Sequence, residues 1–255
     1  MPVHKSTVLI LRCHDWSESS QVVHVLTRDL GRLRCLAKGS RRPKNPFSGP
    51  LDRWMRGEAV FSAGDPNRLA TLMELFETER FDGLHRNLPA YYGASTVTEL
   101  VTALVPEADP QPAVFDLADE TLRHLADAAP DACRAAAFAF ALRLLALLGY
   151  GGPTDRCVEC GRRLDTAGPA GPGGPVDYSV GLGGPVCDAC RPRDKGKIHR
   201  LADRTVQAMA FLAAADWDQV RRVRLRPATA RQVREVLSAT VLELAGKELF
   251  AARYV

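Results

Sequence analysis

Four cysteines carry the chemistry that this chain states most plainly. Cys157 and Cys160 form one C-x-x-C pair, Cys187 and Cys190 form a second, and 26 residues separate the pairs. A zinc ion takes four such thiolates at about 2.3 Å, and a two-residue gap lets one tight turn present two sulfurs. Gly161 suits the first knuckle, because a residue without Cβ tolerates a turn whose amides point at sulfur. The interval is longer than the usual 15 to 20 or so, so the site encloses an insertion. A redox-active pair, two disulfides or an iron–sulfur cluster are the rival readings of the same thiols. Two knuckles in one chain favour zinc. Sulfur fills every coordination position, so no site is left for an activated water and the metal is expected to be structural. The other three cysteines, Cys13, Cys35 and Cys133, lie in apolar runs and read as small buried hydrophobes. The odd total of seven argues against a secreted disulfide framework.

A second group of residues carries charge. The formal net charge is only +4, but its distribution is uneven. Residues 1–80 hold 13 basic and 9 acidic side chains, residues 81–150 hold 4 and 9, and residues 151–255 hold 17 and 12. Basic ends around an acidic middle suggest a polyanionic partner. From Arg28 to Lys44 there are seven basic residues against one acid, Asp29. This run reads as a nucleic-acid groove built from Arg32, Arg34, Lys38, Arg41, Arg42 and Lys44. Phe47 and Trp54 are candidates to stack bases, although a Trp in a strand is more often core. A second cluster, Arg221, Arg222, Arg224, Arg226, Arg231 and Arg234, contains no acid. It either touches DNA or lies over the last helix with its stems flat on apolar surface.

The elements that position these groups change character along the chain. Residues 7–80 read as five short strands at 8–12, 21–27, 32–38, 53–63 and 69–79, which fits a five-stranded OB-fold barrel. In the third, Leu33, Cys35 and Ala37 alternate with Arg32, Arg34 and Lys38, the mark of a half-buried strand with a basic outer face. Asp29-Leu30-Gly31 and Gly64-Asp65-Pro66-Asn67 are turn signals. From about residue 81, apolar spacing of three and four residues predicts helices at 89–105, 112–128 and 132–148. Asp131 is the expected N-cap of the third and Gly149 its stop, and that helix is apolar on most faces and therefore central. Residues 107–109 form an acidic loop punctuated by Pro106, Pro110 and Pro112. Residues 164–186 hold 7 Gly and 4 Pro, which excludes a helix and suggests partial disorder, with a strand at 176–180. Helices are expected again at 205–215 and 228–250. The fold class is α+β, with an OB-fold in residues 1–80 and a mainly helical domain in residues 81–255 that embeds the four-cysteine site.

No catalytic constellation emerges. There is no Gly-rich phosphate loop with Lys-Ser/Thr, no G-x-S-x-G and no His pair at metal spacing. A nuclease would need clustered carboxylates for Mg²⁺, and the acids here are unpatterned. Residues 5–11 are too short for a secretory signal, and no apolar run reaches the roughly 20 residues that span a bilayer. A cytoplasmic binding protein is expected, with no membrane partner. A zinc-containing transcription regulator is the alternative, but the basic residues sit on strands and loops and not on a groove-reading helix.

Trp16-Ser17-Glu18-Ser19-Ser20, Leu26-Thr27, Gly31, Leu36-Ala37-Lys38-Gly39 and Arg41-Arg42 together resemble the N-terminal domain of the RecO recombination mediators. Leu148-Gly149-Tyr150-Gly151, the two knuckles, and Gly183-Gly184 before Cys187 continue the resemblance, so that it covers essentially the whole chain. It implies an N-terminal OB-fold, a helical domain with zinc, and a nucleoid-associated role in recombinational repair. Proteins of this family bind single- and double-stranded DNA, anneal strands, work with RecR, and help load RecA onto strands covered by single-stranded-DNA-binding protein. The family's basic surface carries over onto Arg32, Arg34, Lys38, Arg41, Arg42 and Lys44. One stretch departs from the pattern. Some members place paired arginines in the central helix, near a pocket for the acidic tail of single-stranded-DNA-binding protein. Here that stretch reads Phe138-Ala139, with Arg134 and Arg143 the nearest basic residues.

Overall fold

The computed structural model describes residues 2–47, 49–62, 69–164, 167–168, 171–172, 174–191 and 198–254. Strands β1 (Val3–Asp15), β2 (Gln21–Thr27), β3 (Gly31–Ala37), β4 (Met55–Ser62) and β5 (Ala70–Arg80) close a barrel in the order β1-β2-β3-β5-β4. This is the OB-fold arrangement. All pairings are antiparallel except β3 with β5, which runs parallel from Cys35↔Ala70 to Ala37↔Leu72. The alternation read in the sequence sets the faces. Cys35 and Ala37 are fully buried and Leu33 packs against the same core, while Arg34 and Lys38 are exposed. β4 alternates buried and half-buried without a break. β1 is longer than its apolar stretch suggested, because a bulge between Ile10 and Arg12 turns the strand so that it pairs with both β2 and β4. That bulge also accounts for four successive buried residues, Val8 to Leu11, in a strand.

The turn at 28–30 forms as expected, with the Thr27 hydroxyl donating to the Gly31 carbonyl at 2.8 Å and accepting from the Leu30 amide at 2.9 Å. The turn read at Gly64–Asn67 lies outside the described residues. Phe47 is not a base-stacking residue. Only 1% of it is exposed, and it sits in the barrel core with Leu51. Its burial contributes roughly 2–3 kcal/mol, and Leu75 donates its amide to the Pro46 carbonyl beside it at 3.2 Å. Together these anchor an otherwise polar loop to the barrel wall. Trp54 is likewise buried, in the turn that enters β4.

The helices are α1 (Gly83–Arg86), α2 (Leu88–Leu104), α3 (Pro112–Ala126) and α4 (Pro130–Leu147), then α5 (Asp203–Ala214), α6 (Trp217–Arg222) and α7 (Pro227–Ala245). Packing divides the chain into two units. One is residues 1–86 with 101–126, and the other is residues 87–100 with 127–255. The division is therefore discontinuous and runs through α2, whereas a cut at 80/81 follows the chain. In the second unit α4 has its Ala, Phe and Leu side chains buried around almost its whole circumference, and it packs on α5, α6 and α7. Asp131 is not its N-cap. Ala129 holds that position, because Pro130, which lacks an N–H, fits the first helical residue and moves Asp131 into the first turn. Gly149 ends the helix at φ +84°, as its position suggested. α7 stops at Ala245 rather than near 250, with Gly246 left-handed at its C-terminus. α6 was not read from the sequence at all. It is short, and Asp216 with Gln219 closes a capping box at its start.

Strands β6 (Ala167–Gly168) and β7 (Gly171–Pro172) form one small ribbon, and β8 (Val176–Ser179), β9 (Gly184–Val186) and β10 (Ile198–Leu201) a three-stranded sheet in the order β10-β8-β9. The strand expected at 176–180 is β8. The disorder expected within 164–186 bears in part on residues 165, 166, 169, 170 and 173, which lie outside the described residues. Residues 192–197 of the basic segment after the second knuckle do too.

Candidate nucleic-acid interface and metal centre

The first unit pairs most of its strand cations internally. Residues 105–109 lie along the edge of β3 at its start, where Arg32 bridges Glu107 and the Arg32 carbonyl accepts from the Ala108 amide at 2.9 Å. Ala108 adopts φ +55° to make that contact. Arg32 donates its Nε to the Val105 carbonyl at 2.7 Å, and burial pulls the guanidinium below its ordinary pKa. Arg34 pairs with Glu107 at 3.1 Å and Arg28 with Asp116 at 3.0 Å. Arg56 reaches Asp119 at 3.3 Å. Glu107, Asp116 and Asp119 of the acidic middle thus pair with Arg34, Arg28 and Arg56 within this unit. Arg32 and Arg34 do share one side of β3, with Lys38 in the turn just after it, but Arg32 is held in a structural contact.

Lys5 and Arg12 on β1 are exposed, and a denser group of exposed cations lies farther on. Lys38, Arg41, Arg42 and Lys44 are all exposed on and just after the end of β3. Among the described residues no ion pair is seen for Lys38, Arg42 or Lys44. Arg41 pairs with Asp15 at 2.6 Å, an exposed contact of the kind worth about 0–1 kcal/mol. The loop that carries them is fixed at its base. The Ser40 hydroxyl donates to Gln21 Oε1 at 3.0 Å, and Gln21 Nε2 donates to the Leu51 carbonyl at 3.3 Å. Both residues are buried, so the network specifies one loop conformation. The sequence alone could not rank the cations of this segment, because their acidic partners are up to 88 positions away. The second cluster spans the end of α6, the α6–α7 connection and the first turns of α7. Arg221 and Arg222 end α6, Arg224 donates to the Arg221 and Val223 carbonyls, and Arg231 and Arg234 lie on α7.

The four cysteines do converge. Their Sγ atoms all lie within 4.8 Å of one another, and Cys160 and Cys187 are 3.7 Å apart. Tetrahedral coordination with 2.3 Å metal–sulfur bonds places sulfurs about 3.8 Å apart, so the cluster fits a single ion. The first knuckle is turned by the Gly161 amide donating to the Cys157 carbonyl at 2.9 Å, with Gly161 at φ +72°. β9 delivers Cys187, and a 3₁₀ turn over Asp188–Cys190 presents Cys190. The knuckles are joined by the Val158 amide donating to the Pro185 carbonyl at 3.0 Å. Gly184 permits this approach, since a Cβ there would stand 2.2 Å from Val158 Cγ1. Arg191 ties the second knuckle to β8 through Asp177 at 3.2 Å. Burial opposes ionisation of Cys157, but amides of Cys160, Cys187 and Glu159 aimed at its sulfur outweigh that and hold it at about 6. The Cys190 thiol, by donating to the Cys160 and Cys187 sulfurs, keeps its proton up to about 12. Four soft sulfur donors select a thiophilic metal over Mg²⁺ or Ca²⁺. By contrast, burial alone raises Cys35 and, with the Asp52 charge, Cys13 to about 12, and Cys133 to about 11, so these three are inert hydrophobes.

In the second unit Arg143, one of the two cations near Phe138-Ala139, is engaged. It donates to the Leu212 carbonyl at 3.2 Å and to the Ala215 carbonyl, and its guanidinium lies 4.3 Å over the Trp217 ring. Arg134 instead lines a cavity of about 300 Å³ with Arg224, Asp131 and Tyr254. Among the described residues no helix is long and apolar enough to cross a membrane.

Comparison with known proteins agrees with this architecture. The family model "Recombination protein O N terminal" matches residues 1–77, and "Recombination protein O C terminal" matches residues 85–250. The chain is 32% identical over 229 residues to the DNA repair protein RecO of Salinibacter ruber, covering 90% of this chain and 83% of that protein. It is 29% identical over 241 residues to the RecO of Desulforudis audaxviator, covering 94% and 91%. It is also 28% identical to that of Symbiobacterium thermophilum, covering 100% and 97%. With both domain models matched in order along an OB-fold barrel and a helical unit that gathers four cysteines, the chain belongs to the RecO family of DNA repair proteins.

Proposed function

We propose that this protein is a non-enzymatic, cytoplasmic recombination mediator that binds single- and double-stranded DNA through the barrel loop carrying Lys38, Arg41, Arg42 and Lys44. One observation carries the reading. Arg28, Arg32, Arg34 and Arg56 are engaged within the first unit, whereas this loop holds Lys38, Arg42 and Lys44 exposed without an ion pair among the described residues, and Arg41 in an exposed pair with Asp15, on a fixed backbone. Arg34 stays paired with Glu107 and Arg32 holds the strand in place, so neither counts as a phosphate contact. Strand annealing, work with RecR, and loading of RecA onto strands coated by single-stranded-DNA-binding protein extend the same reading from the family. A basic surface that holds two strands lowers their mutual repulsion, which is the physical requirement for annealing. Zinc is the metal we assign to Cys157, Cys160, Cys187 and Cys190, as a structural staple that fixes both knuckles to β8 and β9. For the acidic tail of single-stranded-DNA-binding protein, the cavity with Arg134 and Arg224 offers cations, and Phe138-Ala139 does not.

Titration of labelled single strands, duplexes and duplexes of different sequence, with and without Mg²⁺, tests the reading. Sequence-tolerant binding without cleavage is expected. A strong preference for one duplex sequence would favour the transcription-regulator alternative, and cleavage would make the protein a nuclease. Calorimetry with a synthetic acidic tail peptide tests the cavity, and no heat at high micromolar concentration excludes it.

A further inference from the structure

Trp16 is the most exposed tryptophan of the chain, at 64% exposure, and it stands beside the cationic loop. It begins the short β1–β2 connection, which is tied down at several points. The Trp16 and Ser17 amides both donate to the Ser20 carbonyl, at 2.9 and 3.2 Å. The Arg41 amide donates to the Ser19 carbonyl at 3.2 Å, and the Gly39 amide to the Ser20 hydroxyl at 3.1 Å. Asp15, the residue before Trp16, holds the Arg41 guanidinium at 2.6 Å. The ring is therefore presented on a corner stitched to the segment that carries Lys38, Arg41 and Arg42. Asp15 and Glu18 are the acids of this corner, and Arg41 already neutralises Asp15.

A single exposed apolar side chain is ordinary on a protein surface. What distinguishes Trp16 is the comparison with every other aromatic of the first unit that might serve. Phe47 and Trp54, nearest to the basic run in sequence, are buried, as are Phe61, Phe81 and Phe115. Phe76 is exposed, but it pairs with Glu58 across the sheet and has Glu74 and Glu77 beside it, which repel a phosphate chain. Among the described residues of this unit, only Trp16 is an aromatic that combines exposure, a fixed backbone and adjacent cations. The β1–β2 loop is also one of the two loops by which OB-folds engage oligonucleotides.

Resting on the DNA-binding reading above, we infer that Trp16 is a stacking platform for an unpaired base, and that this contact makes the barrel prefer single strands to duplex. The cations at 38–44 hold the phosphates, and the indole takes the face of one base. A base in a duplex is already stacked on both sides and cannot use the ring, so the preference follows from geometry and needs no sequence readout.

Intrinsic fluorescence and affinity of the full chain test this with three ligands. These are a thymidine oligonucleotide of about 16 nucleotides, an abasic strand of the same length, and a duplex. The thymidine strand should quench emission and the abasic strand should not, while Trp16→Phe should abolish the quenching and keep most of the affinity. Trp16→Ala should weaken thymidine binding roughly five- to a hundredfold, leave abasic binding and the salt slope unchanged, and erase the preference over duplex. Equal binding of thymidine and abasic strands by the parent would overturn the inference. So would a Trp16→Ala protein that melts like the parent and binds thymidine equally well. Failure to bind any of the three ligands would instead refute the DNA-binding reading, and this inference with it.

Discussion

Replacing Lys38, Arg42 and Lys44 together by Ala is the perturbation that separates the structure's account of DNA binding from one based on sequence alone. Four phosphate contacts from residues 38, 41, 42 and 44, at about 0.7 each for single strands, give a log–log salt slope near −2.8. Such a site loses roughly 50-fold in affinity as salt rises from about 50 to 200 mM. The triple variant keeps Arg41 alone, so its slope should become shallower by about 2 units, with little change in stability because all three side chains are exposed. Arg32→Ala is the control. Its guanidinium donates to the Val105 carbonyl and carries no phosphate in this account. The slope should stay within a few tenths of the parent's, while the loss of a half-buried charged hydrogen bond costs about 1–2 kcal/mol. That corresponds to a fall of several degrees in melting temperature. Fluorescence anisotropy across a salt series, with a thermal melt of each variant, reads both quantities. A triple variant with the parent's slope, or an Arg32→Ala protein whose slope drops by a full unit, would refute the assignment.

Purified protein should carry one zinc per chain, and Cys160→Ser should lose it and destabilise the unit that contains α4 while the barrel persists. Elemental analysis and hydrogen exchange check this, and a metal-free parent that melts normally would sink it. Burial, aided by the charges of His14, Arg12 and Arg34 and opposed by Glu107, lowers the His24 pKa. The unfolded chain therefore takes up that proton first, and stability should fall as pH drops below about 6.5. His24→Gln should flatten this part of the stability–pH curve, and an unchanged curve would exclude the cause. Gly31→Ala should destabilise the first unit by about 2 kcal/mol or more. The residue sits at φ +74° with Asp109 backbone atoms 2.4–2.6 Å from any Cβ, so a melt like the parent's would contradict the packing of residues 105–109 on β3.

The sequence by itself determined whatever is encoded locally. Alternation of Leu33, Cys35 and Ala37 with charged neighbours set the faces of β3, because a strand's side chains point to opposite sides at period two. Two C-x-x-C pairs specified a four-sulfur site, because a knuckle is built from its own few residues. Gly149 and the turn at 28–30 were legible for the same reason. Tertiary structure decided what depends on partners remote in sequence. It withdrew Arg32 from the surface by placing Val105 beside it, and it turned Phe47 from a candidate stacking ring into the anchor of its loop. It set Trp16 next to Arg41 across 25 positions. Periodicity reports which way a side chain points, but whether a charge stays free there depends on what another part of the chain brings against it.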